Sequence, residues 1–182
     1  MSSNNTKKTR KRTPILLIFV LLASAVVFAG YYYQQSRAVS ITESSLTATD
    51  SVHQQIKATG EAFLQKKAKE AGVQSLGGGI LYKELKAGAG AMPTQQSTVV
   101  VDYEGRLVDG TIFDSSYERG EAAEFPVGGV VAGWQIALKA MKVGAVWEVY
   151  LPYYMAYGER GGGEKIPPYS ALVFKIELKE VK

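Results

Sequence analysis

Apolar side chains recur at every second position in several short segments of the carboxyl-terminal half. In residues 98–103 this spacing puts Val99, Val101 and Tyr103 on one face, and residues 171–178 repeat it with larger side chains. A period of two predicts strands that bury one face and leave the other in water, which is typical of antiparallel sheets. This half of the chain is therefore expected to fold as a sheet.

One segment has helical spacing instead. Trp134, Leu138 and Met141 lie on one side of a helix predicted over residues 133–142, with Gly144 beyond its end. Because only one short helix accompanies the strands, it must lie across the sheet and cover its apolar face. The sequence predicts an α+β domain over residues 76–182.

The remaining local signals complete the predicted sheet. They are an edge strand over residues 80–86, a hairpin turn at Asp109-Gly110, and a strand over residues 145–151.

The composition excludes several kinds of chemistry. The chain has no cysteine, so disulfides, thiol catalysis and thiolate metal sites are ruled out. Its only histidine, His53, lies far from the other motifs, and a single imidazole without companions makes no metal site. We expect neither a metal nor a cofactor.

The net charge of +4 does not indicate a nucleic-acid partner. Five of the basic residues lie together at positions 7–12, ahead of a long apolar run, and the rest of the chain is slightly acidic. The high pI therefore describes a tail, and we expect no nucleic-acid binding.

Residues 15–29 are uncharged and apolar, which allows two interpretations. The basic tail and apolar core are typical of a signal peptide cleaved near Ala29. Alternatively, the run continues through three tyrosines to residue 33, a length of about 28 Å as a helix, which matches a membrane. We favour an uncleaved transmembrane anchor over residues 15–33, with the tail, residues 1–14, in the cytoplasm.

A polar linker over residues 34–50 is expected to lead into a helical arm over residues 51–75. Apolar residues form one stripe of this arm, and Gly60 weakens its middle by about 1 kcal/mol. The arm should therefore depend on a partner surface. That surface is either its own domain, which we favour, or a second copy in a homodimer through residues 51–72.

Six aromatic residues at inward positions could meet around a hollow or simply fill a core: Tyr103, Phe113, Phe125, Trp134, Tyr157 and Phe174. Asp114 favours the hollow, because a buried carboxylate needs partners, and Tyr103 and Arg119 are near it in sequence.

In order and spacing, these motifs resemble the FKBP-type peptidyl-prolyl cis-trans isomerases, and most of all the bacterial exported branch of macrophage infectivity potentiator type. The resemblance covers residues 61–182 and rests on Tyr103-Glu-Gly, Asp109-Gly-Thr-Ile-Phe-Asp-Ser-Ser, Val130-Val-Ala-Gly-Trp, Ala156-Tyr-Gly-Glu-Arg-Gly, Ile166-Pro-Pro and Leu172-Val-Phe.

The resemblance implies an antiparallel half-barrel wrapped around the short helix, with a pocket for a proline side chain. Tyr103, Phe113, Asp114, Tyr157 and Phe174 are its expected catalytic residues. The substrate-binding residues that it implies are Phe125, Val130, Val131, Trp134 and Ile166, with Arg119 supporting Asp114.

By the same resemblance, the expected function is prolyl isomerisation that assists the folding of exported proteins. The implied partners are proline-containing clients and the macrolide inhibitors of the family, and the catalytic domain would face the periplasm from a single-pass inner-membrane anchor. After signal cleavage it would instead be free in the periplasm. The alternative function is a non-catalytic chaperone or client-binding module that uses the same pocket.

Overall fold

A computed structural model of the chain describes residues 33–35 and 48–182. Most of the predicted tail, anchor and linker therefore lies outside the described residues. Within the described residues, no helix is both long enough and apolar enough to span a bilayer.

Seven strands form one sheet in which every pairing is antiparallel. Its order is β1-β2-β6-β7-β3-β4, and β5 pairs with the first part of β3. The strands are β1 (Val73–Gly77), β2 (Ile80–Lys86), β3 (Thr98–Leu107), β4 (Ile112–Ser115), β5 (Ala123–Pro126), β6 (Val146–Leu151) and β7 (Leu172–Val181).

Among residues 48–182, three α-helices accompany the sheet: α1 (residues 48–67), the single turn α2 (Ser116–Arg119) and α3 (Ala132–Ala140). The α+β architecture predicted from the alternating segments is confirmed. The helix predicted over residues 133–142 is α3, and the turn at Asp109-Gly110 joins β3 to β4, with Gly110 at a φ of 92°.

The core lies between the sheet and α3. Trp134, Ala137 and Leu138 of α3 pack in one cluster with the buried residues of β3, β6 and β7. Gly133 allows this close approach, because a Cβ there would lie 2.5 Å from the Leu151 side chain. The helix therefore rests directly on β6.

Helix α1 covers the opposite face of the sheet. Tyr150 alternates in β6 with core-facing Val149 and Leu151, yet it is fully buried, because the Phe63 ring of α1 lies 6.1 Å from its ring. Gly60 faces Ala171, whose Cβ would lie 2.9 Å from a Cβ at position 60. The arm thus packs on its own domain, and residues 50–182 form one compact unit.

Two boundaries differ from the sequence prediction. The arm helix ends at residue 67, not 75, because the chain reverses after it and Val73–Gly77 pairs with β2 as β1. The glycines at 77–79 form the turn of this hairpin, each at positive φ. As a result β2 is not an edge strand, since it lies between β1 and β6.

Candidate functional site

A cavity of about 320 Å³ opens between α3 and the inner face of the sheet. Strands β3, β4, β5 and β7, the start of α3 and the loop after β6 each supply part of its wall. Its lining residues are Tyr103, Phe113, Asp114, Phe125, Gly129, Val130, Val131, Trp134, Tyr157 and Phe174. Of the site residues predicted from the sequence, only Arg119 and Ile166 lie outside this lining.

Trp134 stands at the centre of the aromatic wall. Its ring centre lies 5.3 Å from that of Tyr103, 5.9 Å from Phe125 and 5.2 Å from Phe174, and each pair meets edge to face. Phe113 meets Phe174 in the same way, at 5.6 Å. Edge-to-face contact is a preferred arrangement of aromatic rings, and each ring in such a pair restrains the orientation of the other. The cavity is therefore bounded by rigid, apolar surfaces.

One polar cluster interrupts this apolar wall. The Tyr103 hydroxyl donates to Oδ2 of Asp114, and Nη1 of Arg119 donates to Oδ1 of the same carboxylate. Nη2 of Arg119 also donates to the Tyr103 hydroxyl oxygen at 3.1 Å. Both oxygens of Asp114 are thus bound, so its side chain is held in one orientation at the cavity wall.

The short helix α2 brings Arg119 to this cluster. Ser115 caps its start by accepting a hydrogen bond from the Glu118 amide at 3.3 Å, and Gly120 ends it in the left-handed conformation, at a φ of 75°. This single turn reverses the chain between β4 and β5. Arg119 therefore faces back toward Asp114, five residues earlier.

The cluster has defined charges. Burial raises the pKa of Asp114, but the hydrogen bonds from Tyr103 and Arg119 outweigh it, so the pKa of the carboxyl lies below its ordinary value. Burial, then the bond to Asp114, raises the pKa of Tyr103. At neutral pH the site holds an ionised carboxylate and a protonated tyrosine.

Tyr157 forms the open side of the cavity and is 41% exposed. Burial, followed by the Asp114 charge, raises the pKa of its hydroxyl, which stays protonated at neutral pH. A protonated hydroxyl here can donate a hydrogen bond to a bound molecule. The side chain lies in the loop between β6 and β7, residues 152–171, called the Tyr157 loop below.

Ile166 lies farther along this loop and is 5% exposed. It forms a bridge with Gly162, where a Cβ would meet both the Tyr157 ring and the Ile166 side chain. Ile166 therefore supports the Tyr157 side of the cavity from behind and is not part of the lining.

Three residues near the cavity were missed in the sequence. Gly129 lines it, and Nζ of Lys165 donates to the Phe113 carbonyl at 3.3 Å. At Gly105 a Cβ would lie 2.5 Å from the Phe113 ring and 2.9 Å from the Phe174 ring. Only Gly105 had a recognisable signal, because it ends the motif Tyr103-Glu-Gly.

Among residues 33–35 and 48–182, no group of three or more histidine, cysteine or acidic side chains could hold a metal ion.

Comparison with known proteins identifies relatives of this site and fold. The family described as FKBP-type peptidyl-prolyl cis-trans isomerase matches residues 90–179. The FKBP-type 22 kDa peptidyl-prolyl cis-trans isomerase of Escherichia coli is 49% identical over 70% of this chain and 62% of its own length. The peptidyl-prolyl cis-trans isomerase Mip of Coxiella burnetii is 51% identical over 66% of this chain and 53% of its own. This chain thus spans little more than half the length of these curated relatives.

Solved structures show the same fold. A peptidyl-prolyl cis-trans isomerase from Pseudomonas syringae pv. tomato is 38% identical, with a TM-score of 0.67 over 71% of this chain and 95% of that one. FkpA from Escherichia coli is 34% identical, with a TM-score of 0.75 over 90% of this chain and 80% of that one. The resemblance drawn from the motifs is therefore confirmed, and with it the FKBP-like half-barrel.

Proposed function

The chain belongs to the FKBP-type peptidyl-prolyl cis-trans isomerases, and we propose from this premise that it catalyses cis-trans isomerisation of X-Pro bonds in its aromatic cavity. The observation that carries the proposal is the position of one ionised carboxylate, Asp114, in the lining of a cavity whose wall is otherwise made of edge-to-face rings around Trp134. A cavity of about 320 Å³ accommodates a proline side chain and the peptide group before it.

The reaction needs little chemistry from the protein. Without a catalyst, rotation about an X-Pro bond takes roughly tens to hundreds of seconds at 25 °C, because amide resonance must be broken. The planar amide is more charge-separated than the twisted transition state, so an apolar wall favours the twisted form. Stronger binding of the twisted form than of either planar form lowers the barrier.

Each residue has a proposed part in this selection. Trp134 would form the floor under the proline ring, with Phe125, Val130, Val131 and the other aromatic residues around it. Asp114, held by Tyr103 and Arg119, would face the substrate carbonyl carbon. The Tyr157 hydroxyl and the Val131 backbone would bond the substrate backbone, and Ile166 would close the rim through its support of the Tyr157 loop.

We propose proline-containing polypeptides exported from the cytoplasm as the clients. One relative, from Legionella longbeachae, is named an outer membrane protein, and it is 45% identical over 69% of this chain. The apolar run at residues 15–29 supports export. The proposed location is the periplasmic face of the inner membrane, through the anchor at residues 15–33, or the free periplasm after cleavage. Macrolide inhibitors of the family are the proposed small-molecule ligands of the cavity.

The test is the cis-to-trans rate of an Ala-Leu-Pro-Phe peptide with residues 34–182. We expect strong acceleration that falls in Asp114→Ala and Phe174→Ala. Leu85→Ala is the control, since Leu85 is exposed in β2 and outside the cavity lining. An uncatalysed rate from a protein with a cooperative unfolding transition would overturn the enzyme proposal, and peptide binding by that protein would then favour the client-binding module.

A further inference from the structure

Helix α1 contacts the Tyr157 loop through aromatic rings. The His53 ring centre lies 5.6 Å from that of Tyr169, and the Lys57 ammonium lies 5.5 Å from the centre of the Tyr153 ring. The rings of Tyr153 and Tyr169 are 5.3 Å apart. Because His53 and Lys57 are four residues apart, they are neighbours on one face of the helix. One helix face therefore contacts both ends of the loop at once.

The backbones of the same two tyrosines hold the turn that carries Tyr157. The Gly158 amide donates to the Tyr153 carbonyl at 2.8 Å, and the Tyr169 amide donates to the Gly158 carbonyl at 3.1 Å. Both the amide and the carbonyl of Gly158 are thus hydrogen-bonded, and Gly158 directly follows Tyr157, which lines the cavity. Any displacement of Tyr153 or Tyr169 would be transmitted to Tyr157 through these two bonds.

Tyr169 adopts a conformation that needs support. Its φ is 62°, which makes it the one non-glycine residue at positive φ among the described residues. An L residue in this region is strained, and it persists there only when surrounding contacts hold it. The rings of His53 and Tyr153 contact its ring from two sides, and its hydroxyl forms a hydrogen bond with Glu159.

We propose that His53 and Lys57 are positioning residues for the isomerase site. They hold Tyr169 and Tyr153, which fix Gly158 and so set the orientation of Tyr157 in the cavity. The arm is then part of the enzyme and is more than a spacer between membrane and domain. This inference rests on the proposed isomerase function, and it adds an element outside the cavity to the machinery.

The first experiment compares His53→Ala/Lys57→Ala with Gln54→Ala/Lys66→Ala, both in the full chain. The control pair removes similar side chains from exposed positions of the same helix. We expect kcat/KM for the proline peptide to fall about three- to tenfold in the first pair and to stay at the wild-type value in the second. An unchanged kcat/KM in the first pair, or an equal loss in both, would overturn the proposal.

A second readout does not depend on activity. Hydrogen exchange of the Gly158 amide reports whether its bond to Tyr153 is held. We expect faster exchange at Gly158 in His53→Ala/Lys57→Ala, with slow exchange of the core amides of β7 retained. An inactive wild-type chain would overturn the proposed isomerase function. The exchange rate of the Gly158 amide would still show whether His53 and Lys57 hold the Tyr157 loop. Wild-type exchange at Gly158 in that variant would contradict the coupling.

Replacements at Tyr169 separate the ring from the backbone. Tyr169→Gly keeps the left-handed conformation without strain but removes the ring, whereas Tyr169→Phe keeps the ring. We expect Tyr169→Gly to lower kcat/KM by about the same factor as the helix pair, and Tyr169→Phe to retain most of the activity. Full activity in Tyr169→Gly would show that the ring contacts position nothing.

Discussion

At the scale of single residues, the site depends on side chains whose partners are fixed. Tyr103 is both a wall of the cavity and the donor that orients Asp114. Arg119 binds both of them from outside the cavity, so three residues form one unit. Replacement of any one of them should therefore affect the other two.

Tyr103→Phe tests this unit. The change leaves the ring contact with Trp134 in place and removes only the hydroxyl, so we expect the free energy of unfolding to fall by about 1 kcal/mol and kcat/KM to fall as well. Urea denaturation measures the first effect. Tyr82→Phe is the matched control, because the Tyr82 hydroxyl bonds Gln74 at an exposed site. An equal loss of stability in both variants would contradict a special role for the cluster.

The lowered pKa of Asp114 predicts that the stability of the fold depends on pH. Because its pKa is lowered from 3.8 in the folded protein, its contribution to stability is complete above about pH 4 and is lost as the pH falls through the folded-state pKa. We therefore expect Asp114→Asn to lose less stability than the wild type between about pH 4 and pH 2. Some loss remains, since the pKa values of Asp102 and Asp109 are also lowered.

Thermal unfolding at a series of pH values measures this difference. Parallel curves for the wild type and Asp114→Asn would show that Asp114 makes no net favourable contacts in the folded protein.

At the scale of elements, glycines set how closely strands and helices approach the rings. Gly105 in β3 lies under Phe113 and Phe174, and Gly60 in α1 lies against Ala171. In both places backbone meets a neighbouring side chain without room for a methyl group. These two contacts position the cavity wall and the arm.

Gly105→Ala should overpack the cavity wall. The added methyl would meet two rings that cannot both move, so we expect a loss of about 1–3 kcal/mol and weaker peptide binding. Denaturation and peptide titration measure the two effects. At Gly128, where the nearest atoms would be 3.4 Å away, alanine should be tolerated. Wild-type stability in Gly105→Ala would mean that the rings can repack.

Gly60→Leu should weaken the packing of the arm. A leucine is favoured over glycine in a free helix, but here it would collide with Ala171, so we expect a net loss of about 1–3 kcal/mol. Ala62→Leu, on the exposed side of the same helix, should change stability by less than about 0.5 kcal/mol. A stabilised Gly60→Leu variant would indicate that α1 does not rest on the sheet in solution.

At the scale of the whole molecule, the arm and the sheet form one compact unit over residues 50–182. Contacts within the chain place Phe63 of α1 against Tyr150 and Gly60 of α1 against Ala171. A homodimer through residues 51–72 stays a prediction from the sequence. Because α1 already packs on its own domain, we expect a monomer instead.

We expect residues 34–182 to elute as a monomer in gel filtration at micromolar concentration. Gly60→Leu provides the comparison, because an arm released from its own domain would be free to pair with another copy. A dimer in the wild-type protein would show that the arm has a second binding surface beyond its contact with the sheet.

The sequence by itself determined strands β2, β3, β6 and β7, the helix α3 and the aromatic set of the cavity. Alternation and helical spacing are local properties, and burial of one face of each element leaves few ways to arrange them. The motif order also determined the family, since Tyr103, Asp114, Trp134 and Phe174 lie at compatible positions along the chain. In these respects local pattern and final structure agree.

Only the tertiary structure decided the rest. Residues 73–77 become a strand because β2 offers them a pairing edge, and Ile166 lies behind the cavity because the Tyr157 loop folds back at Gly162. Gly60 weakens a helix in isolation, yet it permits the contact that holds α1 on the sheet. Such contacts join residues far apart in the chain, and no local pattern records which surface a residue will meet after folding.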